Sequence, residues 1–209
     1  MKVAFPWRGT FLIGASMIAS SPASAHHAMG GQLPSTFMQG LLSGLAHPVI
    51  GPDHLAFIIA IGVAAALVPA GLGLVAAFIA ASTAGVFIHT GAITIPHAEI
   101  FIAGSVIAAA ALISRQGGKT SMPWLALAAS GGVLHGYAFA ESIVGAEANV
   151  LGAYLLGLAL VSAAIAVGVT WTTRTIASTK AGTLQVARAS SIILSVVGVA
   201  LVASTLLAA

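Results

Sequence analysis

GLAHPVIGPDHLAF, residues 44–57, is the stretch on which the architecture turns. It lies inside an apolar run, yet it carries His47, Asp53 and His54 within eight positions, with Pro48, Gly51 and Pro52 among them. Proline lacks a backbone donor and clashes with the preceding turn, so an uninterrupted helix is not expected here. Broken backbone at membrane depth is tolerated only where protein or a water-filled cavity satisfies it. Ionisable side chains at that depth mark functional sites.

The chain has 209 residues, 59% hydrophobic and 5% charged, with a mean hydropathy of +1.08. Soluble domains carry about 25% charged residues, so the composition is that of a polytopic membrane protein. The fold class expected is all-α, a transmembrane helix bundle of about six spans with the first broken between His47 and Asp53. A formal charge of +3 rests on seven Lys/Arg and four Asp/Glu. With no basic stripe interleaved with aromatics, nucleic acid is not an expected partner. No G-x-x-x-x-G-K-[ST] loop occurs, so no nucleotide is expected either. The absence of cysteine excludes disulfides and thiolate metal sites.

Residues 1–25 have the three parts of a secretory signal: Lys2 and Arg8, an apolar run over 11–19, and Ala23-Ser24-Ala25. An uncleaved first helix is the alternative, and both place His26 and His27 outside the cytoplasm. Residues 26–209 then form a single transmembrane domain. Cleavage after Ala25 would leave a free amine beside His27 as a chelator for a divalent cation.

Apolar segments follow at about 35–68, 71–91, 96–114, 122–140, 149–171 and 189–207. Most match the ~20 residues that span a bilayer. The first is too long for a straight crossing, at about 50 Å if wholly helical. A helix over 37–46, a break and a helix over 55–68 would accommodate the excess, leaving the carbonyls of residues 49–51 unwound. Arg115 and Lys119 share one loop, and Arg174, Lys180 and Arg188 another two crossings away. The positive-inside rule makes both cytoplasmic. Counting back, the residues before Ser35 are then outside the cytoplasm, as a secretory signal requires. His89, His97, Glu99, Glu141 and Glu147 fall at the outer ends of their segments, and the broken stretch opens to that side. The outer half therefore reads as a cation-attracting mouth.

An internal echo links His47-Pro-x4-Asp53 with His135-Gly-x4-Glu141, in the first and fourth spans. Paired breaks in halves of opposite direction are a transporter feature. Gly40-x-x-x-Gly44 and Ser130-Gly131-Gly132 predict close helix approach, the latter bringing His135 toward a neighbour. His89 reads as a packing histidine. His97 and Glu99, after Pro96, fit helix-start capping, and Glu147 and Glu141 fit solvated loop acids. His47, Asp53 and His54 do not fit so bland a reading. Two imidazoles and a carboxylate suit Ni(II), Co(II), Zn(II) or Cu(II) better than Mg(II) or Ca(II).

His47-Pro48-x-x-Gly51-x-Asp53-His54 resembles the HPxxGxDH signature of the HupE/UreJ family of nickel and cobalt permeases. Leu134-His135-Gly136-Tyr137-Ala138-Phe139-Ala140-Glu141 is similar to that family's FHGxAHGxE segment. Ile95-Pro96-His97-Ala98-Glu99 with Ile102-Ala103-Gly104-Ser105 resembles its P-x-x-E…A-x-S region. The resemblance implies secondary transport of Ni(II), or Co(II), from periplasm to cytoplasm for hydrogenase or urease maturation. It implies His47, Asp53, His54, His135 and Glu141 as metal-handling residues. His26, His27, His89, His97, Glu99 and Glu147 stand along a secondary access path. Phe139-Ala140 replaces the family's second His-Gly, removing one candidate ligand. No permanently bound cofactor is expected. The partners are the divalent ion and the bilayer, with a homo-oligomer left open. The alternatives are a membrane metal-binding accessory protein and a bis-His haem protein through His89 and His135. An enzyme is not expected, since H-E-x-x-H is absent and no nucleophile stands beside a base.

Overall fold

The computed structural model describes residues 32–115 and 121–208. The signal-like leader, His26, His27 and Lys119 lie outside the described residues. Those described form seven α-helices: α1 (Phe37–Ile50), α2 (Pro52–Leu67), α3 (Gly73–Thr90), α4 (Ala98–Ser114), α5 (Met122–Phe139), α6 (Ala148–Ile176) and α7 (Lys180–Ala208). A single 3-10 turn, Ala140–Ser142, follows α5. The chain is an all-α membrane helix bundle.

The first apolar segment is the bent one. α1 and α2 meet at Gly51 with a 79° change of direction. The break is shorter than the prolines suggested. Pro48 is carried inside the last turn of α1, and helix continues to Ile50. Only Gly51 is extended, and Pro52 opens α2 at a position where its missing N–H would have had no helical partner. Val49 and Ile50 are therefore helical, and the expectation of an unwound 49–51 segment is corrected to one residue. Gly51 N–H donates to the His47 carbonyl at 3.2 Å, and its own carbonyl accepts from Leu55 N–H at 2.9 Å.

Both halves of this bent segment follow α6 in the same direction. A Cβ on Gly40 would strike the Val150 carbonyl, and one on Gly44 the Tyr154 carbonyl. Further along, the Thr170 hydroxyl donates to the Gly62 carbonyl at 3.0 Å. Arg174 Nη2 reaches the Ala65 carbonyl at 3.4 Å. The pair therefore advances steadily from the start of α6 to its end, as one broken crossing does and a re-entrant hairpin does not. α2 is the centre of the bundle, with ten buried residues out of sixteen. It packs on α6, α4, α7 and α3.

α3, α6 and α7 are each long and apolar enough to cross a bilayer, and the bent pair is a fourth such span. α4, with 17 residues, is a shorter apolar helix. α5 interrupts its apolar run with Pro123, His135 and Tyr137. The six expected segments thus all appear as helical units of one bundle, four of them meeting the length and hydropathy of a span. The last two helices run longer than their apolar stretches: α6 and α7 have 29 residues each. Arg174, Lys180 and Arg188 consequently sit on helical turns and not in a loop, because the polar flanks contain nothing that stops a helix.

All four described basic side chains, Arg115, Arg174, Lys180 and Arg188, lie at one end of the bundle. The α2–α3 connection joins them there through Ala70 N–H, which donates to Ser121 Oγ at 2.8 Å. The α3–α4 loop, the Ala140–Ser142 turn and the α6 start form the opposite end, with His97, Glu99, Glu141 and Glu147.

Candidate functional site: a buried histidine cluster at the broken helix

The break delivers His47 from the last turn of α1 and His54 from the first turn of α2. α5 brings His135, one turn before it too gives way to the 3-10 turn. All three imidazoles are fully buried. The ring centroids of His47 and His54 are 5.6 Å apart, and those of His54 and His135 are 5.1 Å apart. Nδ1 of His54 lies 2.8 Å from Nδ1 of His135. The two echoing motifs therefore meet in space.

Small residues make the approach possible. A Cβ on Gly136 would collide with the Ser82 backbone, and one on Gly131 with the Phe57 ring. α5 therefore sits tightly between α3 and α2, as the small-residue stripe predicted. Phe57 then stacks on His135, with centroids 4.5 Å apart and planes at 20°. Gly51 is needed for space: a Cβ there would lie 2.5 Å from Cδ2 of His54 and 3.1 Å from Oδ1 of Asp53.

Asp53 stands at the rim of the cluster. Its side chain is 17% exposed, and Oδ1 is 3.9 Å from Nδ1 of His54. The same oxygen accepts the His54 backbone N–H at 2.9 Å. The carboxylate thus places negative charge at the positive end of α2, which stabilises a helix start. Glu141 is exposed in the 3-10 turn, next to Ser142.

Three hydroxyls that carried no assigned role in the sequence complete the cluster. Ser105 Oγ from α4 is 3.0 Å from Nε2 of His135. Ser142 Oγ is 3.0 Å from Nδ1 of His47, and the Tyr154 hydroxyl from α6 is 2.8 Å from the same nitrogen. The signal for Tyr154 was a phenol deep in an apolar segment, since a buried tyrosine O–H ordinarily finds a partner. Phe139 was noted as the missing ligand. Its ring, fully buried, lies 4.3 Å from His54 and 5.3 Å from His47 by centroid.

The peripheral candidates separate from this cluster. His89 donates from Nδ1 to the Tyr137 carbonyl at 2.7 Å and stacks on the Tyr137 ring at 4.0 Å. Both contacts are of the kind that a packing histidine makes. His135 is engaged with His54 and Ser105, so each of the two histidines considered for haem has protein partners of its own. His97 precedes α4 with a left-handed backbone, φ 55°, and makes no side-chain cap bond, which corrects the capping expectation. Glu99 and Glu147 are exposed at the same end. Among the described residues, no three His, Asp or Glu side chains are gathered closely enough to hold one metal ion together.

A multi-helix membrane bundle whose central helix is broken beside buried, mutually bonded imidazoles belongs to the class of polytopic proteins with an intramembrane polar site. The sequence profile described as HupE / UreJ protein matches residues 14–201, and the chain belongs to that family. No curated protein and no solved structure matches it.

Proposed function

We propose that the protein is a secondary carrier of a divalent transition-metal cation, Ni(II) foremost and Co(II) next, supplying metalloenzymes such as hydrogenase or urease. The family is associated with nickel and cobalt transport or an accessory role. The observation that carries the transport reading is the His47–His54 pair, two buried imidazoles 5.6 Å apart across the only break in the central span among the described residues. Imidazole nitrogen beside a carboxylate is a donor set of the softness Ni(II) and Co(II) prefer.

In this reading the inner membrane is the bilayer crossed, and the histidine end faces the periplasm. Glu99, Glu141, Glu147 and His97 raise the cation concentration at that mouth, with His26 and His27 ahead of them. The ion then passes stepwise, meeting Asp53 at the rim and afterwards the His47 and His54 imidazoles, with His135 and Glu141 acting from the α5 side. Conduction needs binding weak enough to release, and a pair of imidazoles beside one carboxylate suits transit better than a closed cage. No nucleotide is consumed, and no covalent chemistry is performed.

The test is Ni(II) flux into proteoliposomes made with the purified protein. Asp53→Ala and His54→Ala are expected to abolish uptake while the protein still reaches the membrane. Near-normal uptake in either variant refutes the site, and binding without flux in the unmodified protein favours the accessory reading.

A further inference from the structure

Three hydroxyls and two backbone carbonyls around the cluster decide where each imidazole keeps its proton. The Tyr154 hydroxyl lies 2.6 Å from the Phe139 carbonyl oxygen and 2.8 Å from Nδ1 of His47. A carbonyl has no proton to give, so the phenol donates to Phe139. Its single proton is then committed. The contact with His47 is a hydrogen bond only if Nδ1 carries a proton and donates it. Ser142 Oγ, 3.0 Å from that nitrogen, is a second acceptor, with the Phe139 carbonyl at 3.4 Å for its own proton.

The far side of the cluster obeys the same logic. Ser105 Oγ is 2.6 Å from the Ile102 carbonyl and 3.0 Å from Nε2 of His135. Ser105 therefore donates to Ile102, and His135 donates to Ser105 from Nε2. With one proton per ring, Nδ1 of His135 is an acceptor. The 2.8 Å contact between the two Nδ1 atoms then requires His54 to be the donor. Assigned in this way from bonding geometry, His47 and His54 have the same tautomer: proton on Nδ1, lone pair on Nε2.

We infer that Tyr154 and Ser105 are positioning residues that hold His47 and His54 in the Nε2-donor tautomer, and that His135 is the relay between Ser105 and His54 and not itself a ligand. A metal-ligating imidazole characteristically gives its other N–H to an oxygen or comparable acceptor, which fixes the ring and strengthens the donor. Here both relays end on backbone carbonyls, of Ile102 in α4 and of Phe139 at the close of α5. Main-chain acceptors cannot rotate away, so the tautomers are set by the fold before any cation arrives. The ligand class this fits is a divalent ion that takes imidazole nitrogen. That step rests on the transport reading for the identity of the cation, whereas the tautomers do not depend on it.

The test uses the full-length, metal-free protein in lipid bilayers with 15N-labelled histidine, its ring signals assigned from His47→Gln and His54→Gln spectra. Nitrogen shifts distinguish Nδ1-protonated from Nε2-protonated neutral rings. Both rings are expected in the Nδ1-protonated form. Tyr154→Phe combined with Ser142→Ala, which removes both acceptors of the His47 N–H, should convert His47 alone, and Ser105→Ala should convert His135 and with it His54. Ser105→Thr, which keeps the hydroxyl, should preserve the pattern. In the same samples, Ni(II) binding should weaken about 10–100-fold in Tyr154→Phe/Ser142→Ala and in Ser105→Ala, and recover in Ser105→Thr. Nε2-protonated His47 and His54 in the unmodified protein, or a Tyr154→Phe/Ser142→Ala protein with His47 unchanged, overturns the inference. Intact tautomers in a protein that binds Ni(II) without moving it would remove the transport reading and leave this one standing.

Discussion

Phe139 puts a phenyl ring against two imidazoles, and its own carbonyl accepts the Tyr154 proton. The ring has no lone pair to offer a cation, so it adds apolar surface to the cluster and no donor. It also stands where the resembling family motif has a second histidine. Replacing it tests both points at once. In Phe139→His, a third nitrogen donor beside His47 and His54 is expected to tighten Ni(II) binding about tenfold, equal to ~1.4 kcal/mol. Turnover in flux assays is expected to fall, because release from a fuller coordination shell is slower. Titration calorimetry on the metal-free protein reads the first effect. Unchanged affinity would show that position 139 does not face the ion.

At the scale of the element, the bent segment has two glycines with different duties. Gly44 lets α1 lie on the backbone of α6 at Tyr154, whereas Gly51 clears room for the His54 ring and the Asp53 carboxylate. Gly51 has φ −84°, a value any residue adopts, so its role is volume and not backbone freedom. Gly44→Val is accordingly expected to separate two helices and lower stability by about 1–3 kcal/mol or more, visible as an earlier thermal unfolding. Gly51→Ala is expected to turn His54 and cut Ni(II) uptake several-fold while the unfolding temperature moves little. Equal losses of stability in the two variants would contradict this division. Much of this element was legible beforehand, since prolines and ionisable residues in an apolar run announce a broken span. The length of the break was not: Pro48 is tolerated in a last helical turn, where it interrupts little. The partners were legible only in part. His135 carried one motif and Ser105 closed another without an assigned role, whereas Ser142 and Tyr154 are ordinary residues whose role comes from which helices the bundle sets beside the break. The ends of α6 and α7 were hidden for a simpler reason, because helix persists through polar turns that hydropathy assigns to loops.

At the scale of the whole molecule, charge and chemistry occupy opposite ends. The described basic side chains cluster where α2, α4 and α6 finish and α3, α5 and α7 begin. His97, Glu99, Glu141 and Glu147 lie at the other end, and the buried histidines hang from it by about one to two helical turns. This arrangement has a direction. In the carrier reading, an ion entering beside the acids would meet the break in α1–α2 first, then the apolar length of α2, whose buried face offers Phe57, Ile58, Ile61 and Ala64 and no ligand. That reading then requires the described lower half to open by movement of packed helices. The sidedness that gives this direction meaning is directly testable, because the chain has no native cysteine. Ala148→Cys and Ser178→Cys place single thiols at exposed positions flanking α6, one at each end. In intact cells whose outer membrane has been permeabilised, a membrane-impermeant maleimide is expected to label Ala148→Cys and to spare Ser178→Cys until the inner membrane is lysed. The reverse pattern would invert the bundle and with it the proposed direction of transport. Labelling of both positions before lysis would show that α6 does not cross the bilayer, despite its 29 residues.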